Sequence, residues 1–213
     1  SCYDFGPATA GTMEELSLEP MQNLPDDCQA ARILGRIRQD IPLLGLTPAY
    51  DLSEPWPDRI ARLSDEELLG AEQVDPGMAT CIRSGLLLRG DFQEESHDLS
   101  QRLGSAEGSY WHAIMHRLEP DYPNSKYWFN RVGPHPLFEQ LSTLAPSVAN
   151  EEVLAEICSP SWDPYRFTDA CESAVRGRLG EYRQDLERLQ ELEFDLLFAY
   201  CYSRAVGHES SVG

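Results

Sequence analysis

The chain is short of positive charge. Its 213 residues carry 17 Lys and Arg against 36 Asp and Glu, a formal charge of -19. That balance argues against nucleic acid as a partner, because affinity for the polyanion comes largely from Lys and Arg neutralising phosphates. Anionic membrane surfaces are disfavoured for the same reason. Long hydrophobic runs are also missing, and no stretch approaches the roughly 20 apolar residues that a membrane span needs. The six cysteines (Cys2, Cys28, Cys81, Cys158, Cys171 and Cys201) include no C-x-x-C pair and show no zinc-finger spacing. Reduced thiols in a cytoplasmic protein are therefore expected, with Cys81, Cys171 and Cys201 inside helices, where buried free thiols are common. No basic region followed by an apolar stretch opens the sequence, so no signal peptide is expected. Sustained period-two alternation, internal repeats and low-complexity tracts are absent too, which sets aside sheet and repeat architectures.

What is present reads as helix. Hydrophobic residues make up 41% and charged residues 25%, with a mean hydropathy of -0.43, values typical of a soluble globular chain. The pattern predicts an all-α fold: one compact helical domain over residues 51–206, an irregular N-terminal arm over 1–50 with one short helix near 28–39, and a tail over 207–213. Ser64-Asp-Glu-Glu67 has the form of a capping box. Pro76 suits the first turn of a longer helix, whose apolar phase runs to Leu103 despite Gly85 and Gly90. A second helix is expected from about 106 or 110 to Leu118, short ones over 123–131, 137–144 and 150–157, and one after a Thr168 cap. Residues 159–167 read as an aromatic loop in which Asp163 forms a turn before Pro164. A long C-terminal helix, Glu181 to Val206, has its many charges assigned to an exposed face.

The densest chemistry lies in the middle. Four of five histidines (His97, His112, His116 and His135) fall between positions 97 and 135, beside Glu119 and Asp121. His112 and His116 stand four apart, the spacing by which one helix face offers two ligands to a metal. The adjacent Glu of the H-E-x-x-H proteases is missing, since Ala113 follows His112. If 92–103 and 110–118 pack as an antiparallel hairpin, position 97 comes level with about position 114. His97, His112 and His116 then converge, with Glu119 or Asp98 as an oxygen ligand, a set compatible with zinc, iron or manganese. Glu119 and His116 are the candidate catalytic groups, Glu119 either as ligand or as the base toward a water acidified by the ion. Arg117, Asn124, Lys126 and Arg131 are candidate substrate contacts.

Two plainer readings stand beside this one. The histidines can line a metal-free polar pocket, one of them acting as general acid or base. They can equally form a structural hydrogen-bond network that fixes the hairpin. Trp128 and Phe129 are expected in the core, His135 in a turn between two prolines, and His208 in a fraying tail.

The stretches SHDLSQ (96–101), WHAIMHRLEPDYPNSKYWFNRVGPHP (111–136), WDPYRFTDACE (162–172) and ELEFDLLFAYC (191–201) resemble a family of uncharacterised bacterial and fungal proteins that carry a tract of the form WHxxxHRxExDxxNxxYWxxRVGxHP. The resemblance spans roughly residues 75–205 and leaves the first 50 residues outside. Leu118 stands where the pattern has a charged residue, and Pro123 where it has a small one. It implies one compact domain and no particular reaction. The expectation is thus a metal-dependent hydrolase or oxidoreductase acting on a small molecule. The alternative is a non-catalytic binding or interaction module.

Overall fold

Short polar side chains open most of the helices, as their sequence positions suggest. The computed structural model describes residues 25, 28–48, 55–158 and 160–207. Most of the expected N-terminal arm, Cys2, His208 and the end of the tail lie outside the described residues. Among those described there are eleven α-helices and no β-strand, apart from one isolated bridge between Cys158 and Trp162. The helices are α1 (Gln29–Asp40), α2 (Trp56–Arg62), α3 (Asp65–Leu69), α4 (Pro76–Arg89), α5 (Gln93–Ser100), α6 (Ala106–Leu118), α7 (Tyr122–Val132), α8 (Leu137–Leu144), α9 (Glu151–Ile157), α10 (Pro164–Val175) and α11 (Arg183–Ala205). The fold is all-α, and none of these helices is long and apolar enough to cross a membrane.

The capping box of α3 is complete: Ser64 Oγ accepts from the Glu67 amide at 3.1 Å, and Glu67 Oε2 accepts from the Ser64 amide at 2.9 Å. Ser105 caps α6 through the Gly108 amide and Asn150 caps α9 through the Glu152 amide. Asp163 caps α10 through the amides of Tyr165 and Arg166, with Pro164 in the first turn. The helix expected after a Thr168 cap therefore starts five residues early, within the expected loop. Thr168 is not the cap; its hydroxyl donates to Pro164 O within the helix at 2.8 Å.

A single helix from Pro76 to Leu103 does not form. After Arg89 the Phe92 amide returns to Leu87 O at 2.9 Å and Asp91 takes a left-handed φ of 64°. The chain reverses there, and α5 packs back on α4 through Ser84 and Ser96, whose hydroxyls lie 2.9 Å apart.

Three helices form the centre. α4 packs against α1, α2, α3, α5, α6 and α11. In α6 every residue from Glu107 to Leu118 is buried, and in α11 every residue from Leu189 to Ala199. Helices buried all round have no polar face to present, so their charged residues must be paired inside. Arg117 and Glu193, both fully buried, form an ion pair, and Tyr110 Oη donates to the same carboxylate at 3.0 Å. Arg89 Nε donates to Glu191 at 3.1 Å, and Arg38 spans Glu191 and Asp195. The α11 charges at 191, 193 and 195 thus lie inside, against the expectation of an exposed face, because each has an arginine or tyrosine partner from another helix.

Two glycines let the central helices approach. A Cβ on Gly85 of α4 would stand 2.9 Å from Trp111 Cη2 and Cζ2 of α6, and one on Gly108 would stand 2.3 Å from Leu103 Cβ in the α5–α6 turn. The first contact seats α6 against α4, and the second closes the hairpin that carries the histidines.

Candidate metal centre

The site starts from helix geometry. His112 and His116 are one turn apart on α6, and His97 and Ser100 lie nearly one turn apart on α5 across the hairpin. Asp121 caps α7 through the Asn124 amide at 3.3 Å, starting that helix beside the end of α6. Asn124, Trp128 and Arg131 of α7 are spaced i, i+4, i+7 and share one face.

The three imidazoles converge. Their ring centroids are 4.6 Å (His97–His112), 4.7 Å (His112–His116) and 5.5 Å (His97–His116) apart. One nitrogen from each falls in a group whose members all lie within 4.8 Å of one another. Nitrogens bound tetrahedrally to one zinc at about 2.0–2.1 Å are roughly 3.3 Å apart, so the widest pair must close by up to about 1.5 Å to hold an ion. His112 and His116 are 1% and 5% exposed, whereas His97 is half-buried on the short α5 and has the most freedom to rotate inward.

Hydrogen bonds assign which nitrogens are available. Ser100 Oγ lies 2.9 Å from Ser96 O and 3.0 Å from His112 Nδ1. A carbonyl can only accept, so the hydroxyl proton goes to Ser96 O and His112 Nδ1–H donates to the hydroxyl. That tautomer leaves the His112 Nε2 lone pair for a ligand. His116 Nδ1 donates to Glu119 Oε2 at 3.1 Å, again leaving Nε2 as the acceptor. Such outer partners fix ring orientation in metal sites.

The Asn124 amide nitrogen stands 2.9 Å from His116 Nε2 and 3.4 Å from Nδ1. The Nε2 lone pair points away from Nδ1, so an atom on its axis would be far more distant from Nδ1 than from Nε2. Near-equal distances place the amide over the ring face, beside the lone pair and not on it.

Electrostatics keep two of the rings neutral. Burial, followed by the neighbouring His116 and His97, pushes His112 down to about 3. Burial lowers His116 as well, against the opposing pull of Glu119 and Asp121. Neutral imidazole is the form that binds a metal.

The candidate residues divide by position. His97, His112, His116 and Asn124 come together, with Glu119 behind His116 as an orienting carboxylate outside the convergent nitrogen group. Asp98 is turned to Gln101 Nε2 at 3.1 Å. Arg117 lies elsewhere, since position 117 is about 100° round the helix from 116. Its guanidinium is fully buried against Glu193, Gln190 and the Phe167 ring. Lys126 pairs with Asp169 on the surface, and Arg131 lies over the Trp128 ring at 5.1 Å from its centroid.

Trp128, expected in the core, is only partly buried, and its ring centroid is 4.0 Å from that of His112. Ser100 was not among the expected site residues; the signal for it was its place three residues after His97, on the same helix face. His135 lies in the expected turn, its carbonyl accepting from the Phe138 amide at 3.1 Å, and its ring is buried among Tyr110, Phe138 and Tyr200, with Nδ1 accepting from the Leu137 amide. Surface clefts of about 300 Å³, beside Arg38, Glu191 and Asp195, and about 380 Å³, beside Phe138, Trp162 and Tyr165, include no histidine.

No family model, curated protein or solved structure matches this chain. The functional reading accordingly rests on the arrangement of these side chains.

Proposed function

We propose that the chain is a divalent-metal protein that binds its ion through His97, His112 and His116 and acts on a small molecule at the remaining coordination position. The observation that carries this reading is the convergence of three imidazole nitrogens within 4.8 Å, two of them with Nδ1 tied outward to Ser100 and Glu119. Three neutral nitrogens with an open fourth position are a zinc-type catalytic donor set. The iron oxygenases use two histidines and a carboxylate, and here Glu119 is engaged with His116. Hydrolysis with the ion as Lewis acid is therefore favoured over oxygen chemistry. In that chemistry Glu119 orients His116, and His116 serves as a ligand. The free cysteines Cys81, Cys158, Cys171 and Cys201 fit a reducing, cytoplasmic setting.

One observation favours the second reading, a non-catalytic module with a structural polar network. Ser84, Ser96, Ser100 and His112 already form a continuous buried hydrogen-bond chain without an ion. Metal analysis after reloading with zinc separates the two. The expected result is one equivalent in the native sequence and none in His112→Ala/His116→Ala. His97→Gln, at a half-buried position, checks the site in a variant that keeps the core. No stoichiometric metal in the folded native protein would refute the metal reading, and a sharp loss of thermal stability in Ser100→Ala without any change in metal content would favour the network.

A further inference from the structure

We propose that the fourth position of this site receives a small carboxylate or similar oxyanion and that Asn124 holds it, an inference that rests on the metal-site reading above. The first argument is charge. The convergent group holds three imidazoles and no carboxylate, and two of its members are almost wholly buried. Glu119 stands behind His116, Asp98 is engaged with Gln101, and Asp121 is engaged with the Asn124 backbone amide. A dication held by three neutral ligands carries no charged ligand of its own, and Glu119 and Asp121 act on it only from beyond His116. An anion at the open position supplies the missing charge.

The second argument is the placement of the donor. The Asn124 amide lies over the face of His116, 2.9 Å from Nε2 and off its lone-pair axis. An ion seated on that lone pair has the amide N–H beside it, within reach of an oxygen bound to the same ion. Side-chain amides serve as oxyanion donors in this way in other sites.

The third argument is the rest of the α7 face. One turn beyond Asn124, Trp128 stands against His112 and gives an apolar wall. Arg131 lies over that ring at the exposed rim and contributes positive charge. Amide donor, apolar wall and peripheral cation together suit a carboxylate on a small apolar body.

The test uses the full chain loaded with Co²⁺, read by its visible ligand-field absorption, with acetate as the probe. Acetate is expected to shift the absorption saturably. Asn124→Ala is expected to take up Co²⁺ with unchanged affinity and to bind acetate about tenfold more weakly or worse, the effect of losing one hydrogen bond to a charged group. Asn124→Asp, which replaces the donor with a like charge, is expected to abolish the acetate response. Failure of the native protein to develop the Co²⁺ absorption would overturn the metal reading itself. Co²⁺ absorption that acetate leaves unaltered would overturn only the oxyanion assignment. Equal acetate affinity in the native protein and Asn124→Ala would remove Asn124 from the role.

Discussion

Replacing Glu193 with Ala tests what holds α6, and with it two of the three histidines, in rotation. Glu193, Arg117 and Tyr110 are all fully buried, and the carboxylate takes the Arg117 guanidinium on one oxygen and the Tyr110 hydroxyl on the other. Removing it leaves Arg117 charged against Phe167 with only Gln190 as a side-chain acceptor. Breaking one side of a buried ion pair costs about 3–5 kcal/mol, and the orphaned Tyr110 hydroxyl adds about 1–3 kcal/mol. Against a typical total stability of about 5–15 kcal/mol, that is a large fraction. Melting should fall by about 8–32 °C, at about 2–4 °C per kcal/mol for a chain of this size. Urea unfolding followed by tryptophan fluorescence and circular dichroism gives the value directly. Arg117→Met/Glu193→Leu should recover much of the loss, because an apolar pair of similar volume replaces a buried ion pair at little net cost. A loss below about 1 kcal/mol in Glu193→Ala, or a double variant no better than the sum of its singles, would refute the reasoning.

Three further outcomes follow from the same structure. Zinc at a hundredfold excess over its dissociation constant should stabilise the native protein by about 2.7 kcal/mol, roughly 5–11 °C in melting temperature, and His116→Gln should abolish the shift in a thermal melt. Gly85→Ala should destabilise by about 1–2 kcal/mol in urea titration: the new methyl meets the rigid Trp111 ring at 2.9 Å, and overpacking of about 1–3 kcal/mol outweighs the helix-propensity gain of at most about 1 kcal/mol. Burial, reinforced by Glu191 and opposed by Arg38, pushes Asp195 up to about 7. Its carboxyl thus keeps a proton in the folded chain that the unfolded chain releases near the ordinary value of 3.8. Stability should fall as pH rises from about 4 to 7 and level off above; the fall should be shallower in Asp195→Asn when urea midpoints are compared across that range.

Local signals were the most legible part of the sequence. Ser64, Ser105 and Asn150 cap helices because their hydroxyl or amide oxygen reaches amides two or three residues on, a relation that needs no knowledge of the rest of the fold. The hairpin that brings His97 level with His112 and His116 is also local. The break at Gly90 was obscured because apolar phase happens to continue across it from Leu86 to Phe92 and Leu99. The burial of Glu191, Glu193 and Asp195 had no sequence signal at all. Each partner lies on a helix far away in sequence, and a charge looks the same whether water or an arginine satisfies it. The burial of Arg117 was hidden for the same reason: its neighbour in sequence is His116, but its ion-pair partner is Glu193.

The site's order along the chain gives it a history. His97, His112, His116 and Asn124 all belong to a stretch closed by short loops, whereas the Arg117–Glu193 pair that locks α6 spans 76 residues. Short loops close at low entropic cost and early in folding. During synthesis all three imidazoles leave the ribosome before the helix that carries Glu193 exists. If the proposed ion is captured by the nascent hairpin, it acts as a template on which α11 docks, and metal supply during translation would then govern the yield of folded chain.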